Sequence, residues 1–293
     1  MSLSDPSSQP AGTAAHLLAE GRFDEAIIAA NVELADARRE SEEDKAWLPA
    51  LVNALETLAE IHRQTGDFEK SESLYQEAIE TGEACDAPTE QKARLRSGLA
   101  TLYDFNQREE QAIPHYEAAI AAYEGMTPRR DEESAQLRNN LAMIYKSLKR
   151  YPLAEQHYLM ALETLEKAYG RINERVAAVF NNLGSLYYTA GFPEQAKEMH
   201  LEALDVRIQI FGADHPEVAQ SYCNLATACY ELQDVTATQQ NYEKSLRIYE
   251  QNLEECADSY EEVALDYIAV LEEMGEDRKA DGIRKRVAKV LRK

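Results

Sequence analysis

The sequence repeats itself every 42 residues over most of its length. One column of the repeat holds tyrosine in three consecutive copies and then cysteine and leucine, at Tyr103, Tyr145, Tyr187, Cys229 and Leu271. Four positions earlier a second column is leucine in four copies, at Leu99, Leu141, Leu183 and Leu225. The pattern continues one 41-residue step towards the N-terminus. A degenerate first copy lies further upstream, around Gly21, Phe23 and Ala26. Periods of roughly 20–50 residues are typical of stacked repeat architectures, so the copies predict about seven repeated units.

Each copy has the pattern of two amphipathic helices joined by a short turn. The fourth copy contains one apolar stripe at the i, i+4, i+7, i+11 spacing of a helix: Leu137, Leu141, Ile144 and Leu148. Glycine stands at predicted turns, as at Gly191, and Pro193 suits the opening turn of a second helix. One helix pair cannot cover its own apolar stripe, so neighbouring pairs must stack to form a core. The sequence therefore predicts an all-α solenoid of about seven antiparallel helix pairs.

The columns resemble the tetratricopeptide repeat, which has small residues at its eighth, twentieth and twenty-seventh positions and aromatic residues at its eleventh and twenty-fourth. That unit is usually about 34 residues long, and the longer unit is similar to the repeats of kinesin light chains. The sixth copy carries the inter-repeat signature at Gly212, Asp214, His215, Pro216, Val218, Ala219, Asn224, Leu225 and Ala226. The fifth copy carries it at Gly170, Val176, Ala177, Asn181, Asn182, Leu183 and Gly184. The resemblance covers about residues 44–293 and implies a right-handed superhelix.

The domain boundaries follow from where the pattern is strong and where it fades. We expect a disordered N-terminal tail at 1–11, a degenerate first helix pair at 12–43, a tetratricopeptide-like array at 44–276 and a basic capping helix at 277–293. Kinesin light chains place a heptad coiled coil before their repeats, and no such segment is expected here. The sequence thus predicts kinesin-light-chain-like repeats but not a kinesin light chain itself. HEAT and armadillo arrays have repeats of similar length but lack these small-residue and tyrosine columns.

A polar stripe on the first helix of each pair is the candidate binding site. The apolar stripe sets the helical phase, and the stripe beside it is expected to line a concave groove. It comprises Gln136, Asn139, Asn140, Asn181, Asn182, Ser185, Tyr188, Gln220, Asn224, Thr227 and Tyr230. Asparagine is a poor helix former, yet Asn140, Asn182 and Asn224 recur at one phase. An amide side chain both donates and accepts hydrogen bonds, as the backbone of an extended peptide requires.

The resemblance implies that Asn140, Asn182 and Asn224 clamp the backbone of a bound peptide. The alternative is that they bond to neighbouring helices and only shape the superhelix. Tyr188 and Tyr230 have the same two interpretations, since each could stack on a ligand or space two helices. Because few lysines or arginines flank the asparagines, the carboxylate clamp that recognises acidic chaperone tails is not expected. We expect a protein or peptide partner that is neutral or basic, met by acids towards the C-terminal end.

Charge and cysteine content narrow the other classes of function. A formal charge of −22 disfavours binding to nucleic acid or to anionic membranes. The N-terminus lacks the basic and apolar regions of a secretion signal, and the four cysteines have no framework spacing. We therefore expect reduced thiols and a cytoplasmic location. Neither a phosphate-binding loop, a nucleophile motif nor a metal-ligand spacing is present, so we expect no enzyme activity, no cofactor and no metal site.

The last helix is strongly basic on an otherwise acidic chain. Residues 278–293 contain eight Lys or Arg and one acid. In one interpretation this helix only caps the array; in the other its cations dock on the acidic body of a second copy, giving a homo-oligomer. The function that fits best is a non-enzymatic scaffold or adaptor that binds extended peptide segments. The alternatives are a peptide-sensing regulatory protein and a self-assembling structural scaffold.

Overall fold

The computed structural model describes residues 13–291, and within them the chain is entirely helical apart from turns. The helices are α1 Ala14–Ala19, α2 Phe23–Glu43, α3 Leu48–Thr65, α4 Phe68–Ala84, α5 Thr89–Phe105, α6 Glu109–Gly125, α7 Asp131–Ser147, α8 Tyr151–Tyr169, α9 Glu174–Thr189, α10 Pro193–Phe211, α11 Pro216–Glu231, α12 Val235–Gln251, α13 Leu253–Glu273 and α14 Asp277–Val290. A short 3₁₀ turn, Lys45–Trp47, precedes α3. The expected tail at 1–11 and the last two basic residues lie outside the described range.

The chain divides into two compact units, residues 1–144 and 145–293, with the division inside α7. In both units odd-numbered helices are the first and even-numbered helices the second members of a pair. In the first unit α3 packs on α4 and α5 on α6, while α4 also packs on α5 of the next pair. In the second unit α9 packs on α10, α11 on α12 and α13 on α14, again with each second helix against the following first helix. The predicted all-α repeat solenoid of seven helix pairs is confirmed.

The apolar columns form the interior of both units. Leu99 and Leu141 in the first unit and Leu183 and Leu225 in the second are at most 5% exposed. The small-residue column is fully buried at Ala112 in the first unit and, in the second, at Ala154, Ala196, Thr238 and Ala280. Burying a leucine side chain stabilises a fold by about 1.5–3 kcal/mol, so these repeated contacts supply the core that no single pair has.

Each of the seven turns between paired helices in the described residues contains one residue in the left-handed region. These residues are Gly21, Gly66, Gln107, Lys149, Gly191, Gln233 and Gly275. The N–H that follows each of them bonds to a carbonyl five residues back, as Phe192 does to Tyr187 and Asp234 to Cys229. This is the Schellman arrangement that satisfies the last carbonyls of a helix. The carbonyl acceptors fall in the same column as the repeated tyrosines.

Two helices depart from the regular pattern. In the first pair α1 has six residues, although α2 has 21. Helix α13 has non-helical backbone angles at Cys256, so its first turn is kinked against the rest. The regular part of α13 therefore begins after Cys256.

Within the described residues, no helix has both the length and the apolar character needed to cross a bilayer.

Candidate functional site

The predicted polar stripe lies on one side of the first helices. We call this side the first-helix face of each unit. In the second unit this face comprises the stripe residues of α9 and α11 with Glu262, Asp266 and Glu273 on α13. Gln220 is exposed and Tyr188 is 39% exposed, while the remaining predicted residues of α9 and α11 are half-buried: Asn181, Asn182, Ser185, Asn224, Thr227 and Tyr230. Part of each of these side chains is therefore accessible to solvent, while the rest packs against neighbouring residues.

A chain of amide hydrogen bonds joins two first helices of the second unit. Asn224 Nδ2 donates to Asn181 Oδ1 across 2.7 Å, and Gln220 Nε2 donates to Asn224 Oδ1 across 3.0 Å. The Tyr249 hydroxyl on α12 donates to Gln220 Oε1 across 3.3 Å. Each amide group has two N–H donors and an oxygen with two lone pairs. The amide of Asn224 thus links to its neighbours and still retains one donor and one acceptor site.

Both predicted tyrosines donate to a carboxylate of the following repeat. The Tyr188 hydroxyl donates to Glu231 Oε1 at 3.3 Å, and the Tyr230 hydroxyl donates to Glu273 Oε2 at 2.5 Å. Burial, followed by the neighbouring Glu231, raises the pKa of Tyr188. The hydrogen bond to Glu273 is the main reason that the pKa of Tyr230 is raised. Each phenol therefore stays protonated and acts as a donor that joins adjacent first helices.

The two hydroxyl residues of the stripe differ in what they offer. Ser185 Oγ accepts a hydrogen bond from Lys146 Nζ at 3.0 Å, and burial lowers the pKa of that lysine. The Thr227 hydroxyl donates to the Asn224 carbonyl on its own helix at 2.8 Å. Thr227 therefore has no hydroxyl proton left for a ligand, whereas Lys146 places a cation on the first-helix face.

In the first unit the predicted residues lie on α7. Gln136 is exposed, and Asn139 and Asn140 are half-buried. Asn139 Nδ2 lies 3.4 Å from Asn140 Oδ1. Asn140 partly offsets the burial that raises the pKa of Tyr116 on α6. The central amide of this repeat thus contacts the second helix of the preceding pair.

The first-helix face of the first unit also contains pairs that the sequence pattern did not single out. Gln91 Nε2 donates to Asn53 Oδ1 at 2.7 Å, and the Arg94 guanidinium binds both carboxylate oxygens of Glu56 at 2.8 and 2.9 Å. The partners are 38 residues apart, so a search at the 42-residue step does not find them. A carboxylate of this unit is thereby neutralised by an arginine.

A small cleft in the second unit was also missed, although the predicted Tyr230 forms part of it. Its volume is about 270 Å³, and it is lined by Tyr230, Glu231, Gln233, Val235, Thr238 and Met274. The lining comes from the end of α11, the following turn, the start of α12 and the residue after α13. A sequence search could have found Glu231 in the lining and Glu273 beside it by the 43-residue spacing of Tyr188 to Glu231 and of Tyr230 to Glu273.

The described residues show no group of three or more His, Cys, Asp or Glu side chains arranged to hold a metal ion. The cysteines are free thiols, with Cys223 and Cys229 buried. Burial is the first cause of the raised pKa of each of these two thiols. Both are therefore protonated packing residues.

Comparison with known proteins agrees with this architecture. A tetratricopeptide repeat family model matches residues 50–125, 133–196 and 175–251, which together exceed half of the chain. No curated protein sequence matches. The crystal structure of BtubC (BKLC) from P. vanneervenii has 31% sequence identity and a TM-score of 0.65, and the alignment covers 77% of this chain and 90% of that one.

Two more distant structures share the fold. A putative kinesin light chain with nearly identical TPR-like repeats from Podosopora anserina has 17% identity and a TM-score of 0.61, covering 69% of this chain and 96% of that one. The apo form of RapI has 14% identity and a TM-score of 0.65, covering 95% of both chains. The family-model match, with the 42-residue columns that it spans, places this chain in the tetratricopeptide repeat family, with repeats of the kinesin-light-chain-like kind.

Proposed function

We propose that this protein is a cytoplasmic, non-enzymatic scaffold or adaptor that binds an extended peptide segment on the first-helix face. The observation that carries the proposal is the linked series of amide side chains in the second unit, Gln220, Asn224 and Asn181. These amides are held by one another, and each retains hydrogen-bonding capacity. A preorganised row of donors and acceptors suits a peptide backbone, because little side-chain entropy remains to be lost on binding.

The contacts with neighbouring helices are compatible with this function. A half-buried amide that is already oriented binds with less reorganisation than one that rotates freely in solvent. The acidic residues Glu231, Glu262, Asp266 and Glu273 favour a neutral or basic segment over an acidic one. The high net negative charge argues in the same direction against nucleic acid and anionic membranes.

Site-specific photocrosslinking tests the proposal. A benzoylphenylalanine at Gln220 reports on the first-helix face, and one at the exposed Glu163 of α8 serves as the control on a second helix. In extract from the source organism, the probe at Gln220 should crosslink defined partner segments that the probe at Glu163 does not. Equal capture by both positions would contradict binding on this face.

A recovered segment then allows a direct measurement. The double variant Asn181→Ala/Asn224→Ala should weaken binding of that segment by at least tenfold while the thermal midpoint changes by only a few degrees. Unchanged affinity in this variant would refute the role of the amides.

A further inference from the structure

The cleft beside Tyr230 has a lining that suits one kind of side chain. Val235 is 47% exposed and Met274 is half-buried, so the cleft offers apolar contact area to a ligand. The buried Thr238 directs its hydroxyl to the Asp234 carbonyl at 2.8 Å and so gives no donor to the cleft. The carboxylate of Glu231 completes the lining. Apolar contacts with a carboxylate at one side match a side chain that has an aliphatic stem and a charged end.

Glu231 lines the cleft, and Glu273 lies beside it, next to Met274 and hydrogen-bonded to Tyr230; neither carboxylate has a cation partner among the described residues. Glu231 and Glu273 accept hydrogen bonds from the Tyr188 and Tyr230 phenols, which are neutral. Other carboxylates nearby do have a cation partner: Asp234 Oδ2 lies 3.9 Å from Lys197 Nζ. Two negative charges therefore remain uncompensated at the cleft.

Other nearby acids are also paired: Glu276 lies 3.2 Å from Lys279 Nζ, and Glu272 forms an ion pair with Arg284. The available lysine and arginine side chains are thus engaged around the cleft but not at Glu231 or Glu273. In the first unit a link between first helices is charge-balanced, as in the Arg94–Glu56 pair. A neutral tyrosine partner, unlike an arginine, leaves the negative charge of the carboxylate uncompensated.

Helix α13 extends this negative potential along the first-helix face. Glu262, Asp266 and Glu273 follow an i, i+4, i+11 spacing and share one side of the helix. Asp266 stands 42 residues after Asn224, so the column changes from amide to acid in the last repeat. Burial and the neighbouring Glu262 raise the pKa of Asp266. A cation placed near this stripe would relieve the repulsion between these acids.

We infer that the cleft lined by Tyr230, Glu231, Val235 and Met274 binds an arginine side chain of the partner peptide. The guanidinium pairs with Glu231 and Glu273 in charge-assisted hydrogen bonds, and the aliphatic stem contacts Val235 and Met274. The planar guanidinium also suits the face of Tyr230. This assignment rests on the proposed peptide binding and adds to it a fixed position for one basic residue, at the C-terminal end of the face.

Methyl NMR on the full chain tests the assignment with a defined probe. The probe is the capped pentapeptide acetyl-Gly-Ser-Arg-Gly-Ser-amide, and its control is the same peptide with citrulline, which has the shape of arginine without the charge. The arginine peptide should shift the Met274 methyl signal in a saturable way, while Met160, which is exposed on α8, gives no shift. The citrulline peptide should bind at least tenfold more weakly.

Charge-neutral variants identify the carboxylates responsible. Glu231→Gln/Glu273→Gln should weaken the arginine peptide at least tenfold, whereas Glu163→Gln/Glu198→Gln, with the same charge change on the second helices α8 and α10, should not. Equal responses to arginine and citrulline, or full binding by Glu231→Gln/Glu273→Gln, would overturn the assignment. Either result would leave peptide binding by Asn181 and Asn224 intact, because that binding is measured separately with the recovered segment.

Discussion

The imidazole of His200 on α10 lies directly against Gly184 on α9. A Cβ atom built at position 184 would stand 2.5 Å from the ring Cε1, and His200 itself is only 3% exposed. In the neighbouring repeat of the second unit the same two columns hold Ala226 and Tyr242, both fully buried. The missing methyl group of Gly184 is therefore what lets the His200 ring occupy its position.

Gly184→Ala should destabilise the second unit. An added methyl group in a close-packed interior costs about 1–3 kcal/mol, which exceeds the gain of up to about 1 kcal/mol in helix propensity. The matched control is Gly282→Ala on α14, where a Cβ atom meets nothing within 4 Å. There only the propensity gain applies. Urea unfolding should show a lower midpoint for Gly184→Ala and an unchanged or higher midpoint for Gly282→Ala; an increase in both would contradict the contact.

Acid should destabilise the protein through His200. Burial, with a smaller contribution from Arg207, lowers the pKa of His200 from 6.5 to about 4. The folded chain therefore holds this ring neutral, while the unfolded chain protonates it near pH 6.5. Because the unfolded state binds more protons, the free energy of unfolding falls as pH drops from about 6.5 to about 4. The full loss is roughly 3 kcal/mol, at about 1.4 kcal/mol per pKa unit.

Urea unfolding at a series of pH values measures this loss. His200→Gln is expected to be less stable at pH 7 but to lose less of its stability on acidification. The buried His62 and the half-buried His115 also have lowered pKa values, so part of the acid dependence should remain in the variant. An acid dependence as steep as that of the parent chain would assign the effect to other groups.

The fold could be predicted from the sequence because each repeat is stabilised by contacts with its immediate neighbours. The buried positions of Leu183 and Leu225 depend only on helical phase and on the repeat length, and both can be counted along the chain. Arg284 occupies the column of buried aromatics yet is exposed, because among the described residues no further first helix follows α14 to pack on it. The repeat pattern predicts which column a residue belongs to, but the burial of that residue depends on whether a further repeat packs on it.

The candidate site could be predicted only as a set of positions. The 42-residue step located Asn181 and Asn224 on first helices, but their hydrogen bond joins residues 43 apart. The one-residue difference comes from the offset between successive first helices, which the repeat length alone does not specify. Sequence reasoning left open whether these amides face a ligand or a neighbouring helix. Asn224 contacts its neighbours and keeps free hydrogen-bonding sites, so the two alternatives are not exclusive.

Lys149→Gly should stabilise the protein. Lys149 has φ +59° at a turn where Gly191, one repeat later, has φ +81°. The left-handed conformation costs a residue with a side chain about 1–2 kcal/mol, whereas glycine avoids this cost but loses up to about 1 kcal/mol more backbone entropy. The net gain should be roughly 0.5–1 kcal/mol. Gly191→Ala should give a loss of similar size in thermal unfolding, and a loss in both variants would show that the Lys149 side chain contributes a contact.

The contribution of the basic helix α14 to stability should come from Arg286 and not from its exposed lysines. Arg286 binds both carboxylate oxygens of Glu250, at 2.6 and 2.9 Å, and Glu243 at 2.7 Å. The Tyr260 hydroxyl also donates to Glu250, at 2.8 Å. Burial alone would raise the pKa of Glu250, but the hydrogen bonds from Arg286 and Tyr260 lower it. Removing the guanidinium leaves a partly buried carboxylate without its cation, which costs about 1–3 kcal/mol.

Arg286→Ala is therefore expected to increase hydrogen exchange in α14 and in the second half of α12, where Glu243 and Glu250 lie, while Lys285→Ala/Lys289→Ala changes stability by less than about 0.5 kcal/mol. This outcome supports the capping interpretation of the helix. Docking on a second copy makes a different prediction, because Lys285 and Lys289 are exposed and would supply the contact. Sedimentation at low and moderate salt decides between them: a parent dimer that Lys285→Ala/Lys289→Ala dissociates would establish docking, and a monomer in both chains leaves α14 as a cap held by Arg286.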